Sequence, residues 1–144
     1  MDTVEVVYQV SCKQCPKTYI GETGRKLGIR IKEHRDDVGQ SDQSHYTRSQ
    51  RKTSTDTIHK SALTDHASQN NHVIDWDNTK VVGRESNRER RWMRESIRIR
   101  QEGTKALNRD KGNHDLPHLW DRLLTEAANP PVQSITSVCR RPLN

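Results

Sequence analysis

The stretch from residue 4 to residue 35 constrains the fold of this 144-residue chain more than any other. Apolar side chains alternate along residues 4–10, which is the period of a half-buried β-strand. Residues 18–20 form a second β-favouring run, and Gly21 is expected to end it. From Arg25 the apolar residues recur every fourth position, which is typical of a helix. The stretch therefore predicts two short strands, a connecting turn and a following helix.

Four polar side chains in this stretch are expected to lie together. Tyr8 and Tyr19 belong to the two predicted strands, and Arg30 and His34 lie one turn apart on the helix. A phenol can position or deprotonate a nucleophile, and a guanidinium holds phosphate oxygens. Such a group beside a small core is suited to a phosphodiester substrate.

Two pairs of metal-ligating residues are separated by about fifty positions. Cys12 and Cys15 form a Cys-x2-Cys motif, and His66 and His72 lie five residues apart near the end of a helix predicted from residue 58 to residue 69. Zinc prefers four such ligands in a tetrahedron. A Cys-x2-Cys pair can also be a redox motif, although no βαβ pattern surrounds it here. An odd total of three cysteines argues against a disulfide framework.

Residues 86–102 carry the clearest helical pattern, with a stripe formed by Trp92, Ser96 and Ile99. Glu95 lies at the margin of this stripe and Glu89 on its other side. Burying an unpaired carboxylate is costly, so an acid there suggests a divalent cation such as Mg²⁺. A salt bridge to a neighbouring arginine would be the plain structural alternative.

The chain is basic, with a formal net charge of +6 and an isoelectric point near 9.5. This surplus fits a nucleic-acid partner, although many soluble proteins carry as much. The arginines expected to contact phosphates lie mainly on the late helix, namely Arg91, Arg94 and Arg98. Arg25 either joins them or caps the first helix. No apolar run approaches transmembrane length, so we expect an intracellular protein without a membrane partner.

The remaining segments complete the predicted domain at residues 1–126. Residues 39–57 predict a flexible surface loop, and residues 80–82 a third strand. The leucines and Trp120 within residues 116–124 predict a last amphipathic helix that clamps the sheet as part of the core. Residues 127–144 read as a disordered tail.

Taken together, these motifs resemble a GIY-YIG nuclease domain, which is named for two tripeptides with tyrosines on adjacent strands. Residues 6–8 read Val-Val-Tyr in the first slot, with Val6 in place of the glycine, and residues 19–21 read Tyr-Ile-Gly in the second. The chain is most similar to the endonuclease domain of Penelope-like retroelements, where a Cys-x2-Cys motif lies between the two tyrosines. The runs LNRD at residue 107 and WDRLL at residue 120 also match.

The resemblance implies an α/β fold, in which helices flank a small three-stranded, mainly antiparallel sheet that carries a Cys2His2 zinc-binding insertion. It implies an Mg²⁺-dependent endonuclease that nicks target DNA to prime reverse transcription. Tyr8 would be the general base, Tyr19 and Arg30 would contact the scissile phosphate, and His34 would orient Tyr8 or carry a proton.

The resemblance also selects Glu95 over Glu89 as the single Mg²⁺ ligand, because the family's glutamate precedes an asparagine on the following turn. That asparagine corresponds to Asn108, which would orient Glu95. The implied partners are DNA and a reverse transcriptase domain outside this chain, and the implied location is the nucleus.

Two other functional classes stay open. One is a zinc-containing module that binds nucleic acid without cleaving it, which the altered first tripeptide would explain. The other is a redox or regulatory protein that uses Cys12 and Cys15 as reactive thiols.

Overall fold

The computed structural model describes residues 2–41 and 61–128. In chain order the helices and strands of these ranges are β1 (Val6–Cys12), β2 (Thr18–Thr23), α1 (Leu27–Ser41), α2 (Ala62–Asn70), β3 (Ile74–Arg84), α3 (Arg88–Glu102) and α4 (Asp121–Ala128). Short 3-10 turns lie at Gly103–Lys105 and His118–Trp120. Within the described ranges, none of the helices combines the length and the apolar character needed to span a lipid bilayer.

The three strands form one antiparallel sheet in the order β2-β1-β3. This confirms the predicted small antiparallel sheet with flanking helices. Gly21 does not end β2, as the sequence suggested, but lies within it opposite Tyr8 of β1. The strand continues to Thr23 because pairing with β1 overrides the local tendency of glycine to break a strand.

The central strand β1 is buried on both faces, which divides the core in two. On one face Val6, Tyr8 and Val10 pack with residues of α1 and α2. On the other face Val7 packs with Ile20 of β2 and Ile99 of α3. The sheet is therefore a layer between helices, and its ends and edges remain available for a site.

Several element boundaries differ from the sequence prediction. β3 has eleven residues instead of the three predicted at 80–82, because it pairs along β1 across two register irregularities. α1 continues to Ser41, so the predicted loop at 39–57 begins inside a helix, and its remainder lies outside the described residues. α4 likewise includes the first two residues of the predicted tail at 127–144, and the rest of that tail lies outside the described residues.

The last helical segment is not core, contrary to the sequence prediction. Leu119, Trp120 and Leu123 are 86%, 51% and 57% exposed. α4 packs against α3, where Arg100 forms an ion pair with Asp121. The prediction was wrong because an amphipathic period identifies an apolar face without identifying its partner, and α3 already covers that side of the sheet.

Candidate catalytic cavity and metal group

The two predicted tyrosines meet because β1 and β2 pair with Tyr8 opposite Gly21. Their ring centroids are 6.5 Å apart. A Cβ atom added at Gly21 would lie 2.5 Å from the Tyr8 hydroxyl oxygen and 3.0 Å from the ring of Tyr19. Only glycine at this position leaves room for both phenols.

His34 of α1 completes a buried cluster with the tyrosines. Its Nε2 atom lies 2.9 Å from the Tyr8 hydroxyl, and the edge of its ring faces Tyr19 at 5.4 Å between centroids. Burial, with help from the positive charge of Arg30, lowers the pKa of His34 to about 4. Burial also raises the pKa of Tyr8. The charge of Tyr19 raises it further, and the positive charge of Arg30 opposes the rise. At neutral pH the pair is therefore a neutral imidazole beside a neutral phenol.

A cavity of about 380 Å³ lies next to this cluster. Tyr19, Arg30 and His34 line one side of it. The other side belongs largely to the loop after α3, through Asn108, Arg109 and Asp110. Arg30 supplies positive charge to the wall, although its Nη1 also donates to Glu33 at 3.0 Å.

Glu95 is a buried acid in an unfavourable environment. It is only 8% exposed, and its Oε2 atom has no hydrogen-bond partner within residues 2–41 and 61–128. Burial raises its pKa to about 7, with further contributions from the negative charges of Glu22 and Asp110. Glu89, the alternative weighed from the sequence, is exposed in the first turn of α3. Of the two acids, only Glu95 is buried.

The carboxylate of Glu95 is within electrostatic reach of the cavity. Its charge raises the pKa of both tyrosines, and the charges of Arg30 and Asp110, which line the cavity, act on its own pKa. This arrangement brings five of the six predicted catalytic residues into one electrostatic unit.

Asn108, the sixth, bonds to the backbone of β2. Its Oδ1 accepts from the backbone N–H of Ile20 at 3.0 Å, and its Nδ2 donates to the Ile20 carbonyl at 2.7 Å. Asn108 thereby anchors the loop that carries Arg109 and Asp110, and its role in orienting Glu95 stays a prediction.

The predicted DNA-binding arginines divide by exposure. Arg91 is buried, and its Nε donates to Glu22 at 2.6 Å while its Nη1 donates to the Glu85 carbonyl at 3.0 Å. A guanidinium held in this way is not free to contact a phosphate, so Arg91 leaves the predicted set. Arg94 is exposed on the same helix, beside Glu85 at 3.4 Å.

The two other members of that set are tied to neighbouring carboxylates. Arg25 donates to both oxygens of Glu33, at 2.8 and 3.0 Å. Arg98 pairs with Glu102 at 3.0 Å. These contacts lie at or near the surface, where solvent-exposed ion pairs are weak and a phosphate can compete for the cation.

Glu22 was missed by the sequence reasoning. Besides Arg91, it accepts a hydrogen bond from the indole N–H of Trp92 at 3.3 Å. It thereby joins β2 to α3 next to Glu95. The alternation of Ile20 and Glu22 along β2 would have indicated that Glu22 faces α3, as Ile20 does.

The four predicted metal ligands are brought together. One ligand atom from each of Cys12, Cys15, His66 and His72 lies within 4.8 Å of the others, and the group could hold a metal ion. The Cys12 Sγ–His72 Nδ1 and Cys15 Sγ–His66 Nε2 distances are 3.6 and 3.4 Å. The two histidine nitrogens are 3.1 Å apart. Typical zinc–sulfur and zinc–nitrogen bond lengths give tetrahedral edges of about 3.6 and 3.3 Å for such pairs.

The backbone around this group explains why distant residues meet. Cys12 ends β1, and its sulfur accepts from the N–H of Gln14 at 3.4 Å. Asn71 adopts a left-handed conformation that ends α2 and turns the chain from His66 to His72. The Nδ2 atom of Asn70 lies 3.2 Å from His66 Nδ1 and donates to the His66 carbonyl at 3.3 Å, so Asn70 packs against the ring of this ligand.

Comparison with known proteins finds no family model, no curated protein and no solved structure that matches this chain.

Proposed function

We propose that this chain is a metal-dependent DNA endonuclease of the GIY-YIG kind that nicks target DNA to prime reverse transcription. The observation that carries the proposal is the buried Glu95 carboxylate, whose Oε2 has no hydrogen-bond partner within residues 2–41 and 61–128 and whose charge acts on Tyr8, the partner of His34. A buried carboxylate without a partner is costly, and a divalent cation with a bound phosphate would remove that cost. The retroelement context, a reverse transcriptase partner and a nuclear location follow from the resemblance alone.

Glu95 fits a hard cation because it offers a carboxylate oxygen that nothing else in the described ranges uses. A bound Mg²⁺ would supply positive charge against the charge that develops on the phosphoryl oxygens. The chain itself contributes Arg30 in the cavity wall, which would bind and orient the scissile phosphate. The Tyr19 hydroxyl would donate a hydrogen bond to the same group, because burial raises its pKa and keeps it protonated.

The proposed proton path starts at Tyr8. His34 Nε2 accepts the phenolic proton while the Tyr8 oxygen removes a proton from the attacking water. The new bond forms between the water oxygen and phosphorus, and the bond to the leaving oxygen breaks. The leaving oxygen keeps the bonding electrons and takes a proton from solvent, and His34 then releases its proton to solvent. Burial opposes both the imidazolium and the phenolate. The negative charge of a phosphate bound at Arg30 would favour the imidazolium, so the path operates only with substrate in place.

Zinc is the metal that the Cys/His group fits best. Two thiolates and two imidazoles in a tetrahedral arrangement form a common structural zinc set. The contact of each sulfur with an imidazole nitrogen favours a metal site over a redox pair of thiols. The group lies away from the tyrosine cluster at the end of β1, which suits a structural ion.

The test is nicking of supercoiled plasmid by the purified protein with Mg²⁺ and with a chelator. Glu95→Gln should abolish nicking, whereas Glu89→Gln should leave it unchanged because Glu89 is exposed in the first turn of α3. Equal nicking by wild type and Glu95→Gln would refute the assignment of the metal ligand. No nicking under any condition would refute the enzyme.

A second candidate is a zinc-containing module that binds nucleic acid without cleavage. The observation in its favour is the raised pKa of Tyr8, since a general base benefits from a lowered one. Salt-sensitive DNA binding by a protein that does not nick would establish this alternative.

A further inference from the structure

Ser61 connects the catalytic cluster to α2. Its Oγ lies 3.5 Å from Nδ1 of His34, on the side of the ring opposite Tyr8. The same oxygen caps α2 by accepting the N–H of Leu63 at 3.3 Å. Both Ser61 and His34 are buried, at 8% and 2% exposed.

The neighbours of Tyr8 favour one tautomer of His34. Arg30 can only donate, and it is close enough to oppose the rise in the pKa of Tyr8, so the phenolic hydrogen can point at His34 Nε2. With Nε2 as the acceptor of the pair, the hydrogen of the neutral ring lies on Nδ1. Ser61 is the group in place to accept that hydrogen.

α2 is held at its other end by the metal group. His66 belongs to α2 and His72 follows its left-handed cap. Asp65, next to His66, forms an ion pair with Arg109 of the cavity loop, and Arg109 Nη2 also lies 3.5 Å from the Ser61 carbonyl. A nine-residue helix is not stable by itself in water, so these contacts decide where its first residue lies.

We propose that Ser61 is a positioning residue that holds His34 as the Nδ1–H tautomer, and that the Cys/His metal group keeps Ser61 in place through α2. The inference rests on the proposed function, because the tautomer matters for catalysis only if His34 accepts the Tyr8 proton. It assigns the metal group a role in the active site that goes beyond stabilising the fold.

The test reads the tautomer directly by nitrogen-15 NMR of histidine-labelled, zinc-loaded protein, with His34→Gln identifying the His34 signals. Wild type should show a protonated Nδ1 and an unprotonated Nε2, and the reverse would overturn the proposal without any variant of Ser61. Ser61→Gly, which caps a helix almost as well but has no hydroxyl, should show both tautomers. Ser61→Thr should restore the single tautomer, and an unchanged spectrum in Ser61→Gly would refute the role of Ser61.

The link through α2 is tested by removing the metal with a chelator. The His34 spectrum should change as it does in Ser61→Gly while the β-sheet signal in circular dichroism persists. An unchanged His34 spectrum would overturn the link. Global unfolding would overturn it as well, because the metal would then support the whole fold instead of α2.

Nicking assays separate this inference from the proposed function. Ser61→Gly should lower kcat by about 10- to 100-fold with KM unchanged, as is typical when a partner that orients a functional histidine is lost. A kcat of Ser61→Gly equal to that of wild type would refute the proposed role of Ser61 in catalysis. Absence of nicking by the wild-type protein would refute the proposed function, whereas the NMR spectrum decides the position of the proton independently.

Discussion

At the scale of single residues, the ionised Glu95 carboxylate lowers the stability of the fold but provides the proposed cation site. Its pKa in the folded chain, about 7, lies above its ordinary value of 4.5. The folded state therefore binds its proton more tightly than the unfolded state, and stability is lost as pH rises from 4.5 to 7. Glu95→Gln should be more stable than wild type at pH 8 by at most about 3 kcal/mol, and equally stable at pH 4. Urea unfolding at both pH values measures the difference.

The control uses the cation itself. Mg²⁺ should raise the stability of wild type at pH 8 and leave Glu95→Gln unchanged, because only the carboxylate binds it. Equal stabilisation of both proteins by Mg²⁺ would contradict a site at Glu95. His34 has the opposite pH dependence, since its lowered pKa of about 4 makes stability fall as pH decreases from 6.5 to 4. In Glu95→Gln, the dependence of stability on pH that His34 causes should be seen without the opposing contribution of Glu95.

At Gly21, the addition of a single methyl group should affect both stability and activity. An added methyl group would lie 2.5 Å from the Tyr8 hydroxyl and displace the phenol from His34. Gly21→Ala should cost about 1–3 kcal/mol of stability through overpacking and lower the nicking rate by at least about 100-fold. Thermal unfolding and plasmid nicking provide the two measurements.

The matched control for this substitution is Gly39→Ala. Gly39 lies in α1, and a Cβ added there meets no atom of residues 2–41 or 61–128 within 4 Å. It should gain up to about 1 kcal/mol of stability and keep full activity. Wild-type nicking by Gly21→Ala would contradict the role of the Tyr8–His34 contact.

At the scale of elements, the metal group should govern α2. Cys15→Ser removes one ligand between β1 and β2, and His66 and His72 then lose their common ion. We expect loss of the bound metal and of part of the helical signal, because the ion would no longer join α2 to the turn between β1 and β2. Metal analysis and far-ultraviolet circular dichroism measure both effects.

Cys139→Ser is the matched control, because it removes the third thiol of the chain, which is not one of the four assigned ligands. It should retain one metal ion per chain. Loss of metal from Cys139→Ser, or its retention by Cys15→Ser, would contradict the assigned ligands.

The elements also show what the sequence can and cannot predict. The alternation in β1 and the apolar stripe of α3 are local patterns, and both elements form within two residues of the predicted bounds. β3 extends over residues 74–84 because it pairs with β1, and the local sequence of this segment does not indicate that pairing. The prediction that α4 belongs to the core was wrong, because periodicity identifies the apolar face of a helix but not the element that covers it.

The same distinction separates the predicted site residues. Local spacing indicates the Cys-x2-Cys pair and places Arg30 and His34 one helix turn apart, whereas the contacts between distant segments, such as Tyr8–His34, come from the fold. Ser61 and Glu22 were missed because neither belongs to a motif of its own. Arg91 was misjudged because a basic helix does not reveal which of its arginines meets a buried acid.

At the scale of the whole molecule, the basic charge is expected to act on DNA through one face of α3. The chain carries a net charge of +6, yet its arginines are not equivalent. The Arg94 side chain is 55% exposed and weakly paired, whereas that of Arg91 is 7% exposed and bound to Glu22. Each phosphate contact contributes about 0.9 to the slope of log affinity against log salt concentration. Arg94→Ala should therefore reduce that slope by about one and leave the unfolding free energy unchanged.

Arg91→Ala should have the opposite effect. It leaves Glu22 without its cation in a site where Trp92 also depends on that carboxylate, so stability should fall by about 3–5 kcal/mol. The salt dependence of DNA binding, measured where the variant is still folded, should stay at the wild-type slope. A reduced slope in Arg91→Ala together with an unchanged slope in Arg94→Ala would mean that DNA approaches the β2 side of α3 instead of its exposed face. Fluorescence anisotropy over a salt series, with urea unfolding of the same samples, decides between the two faces.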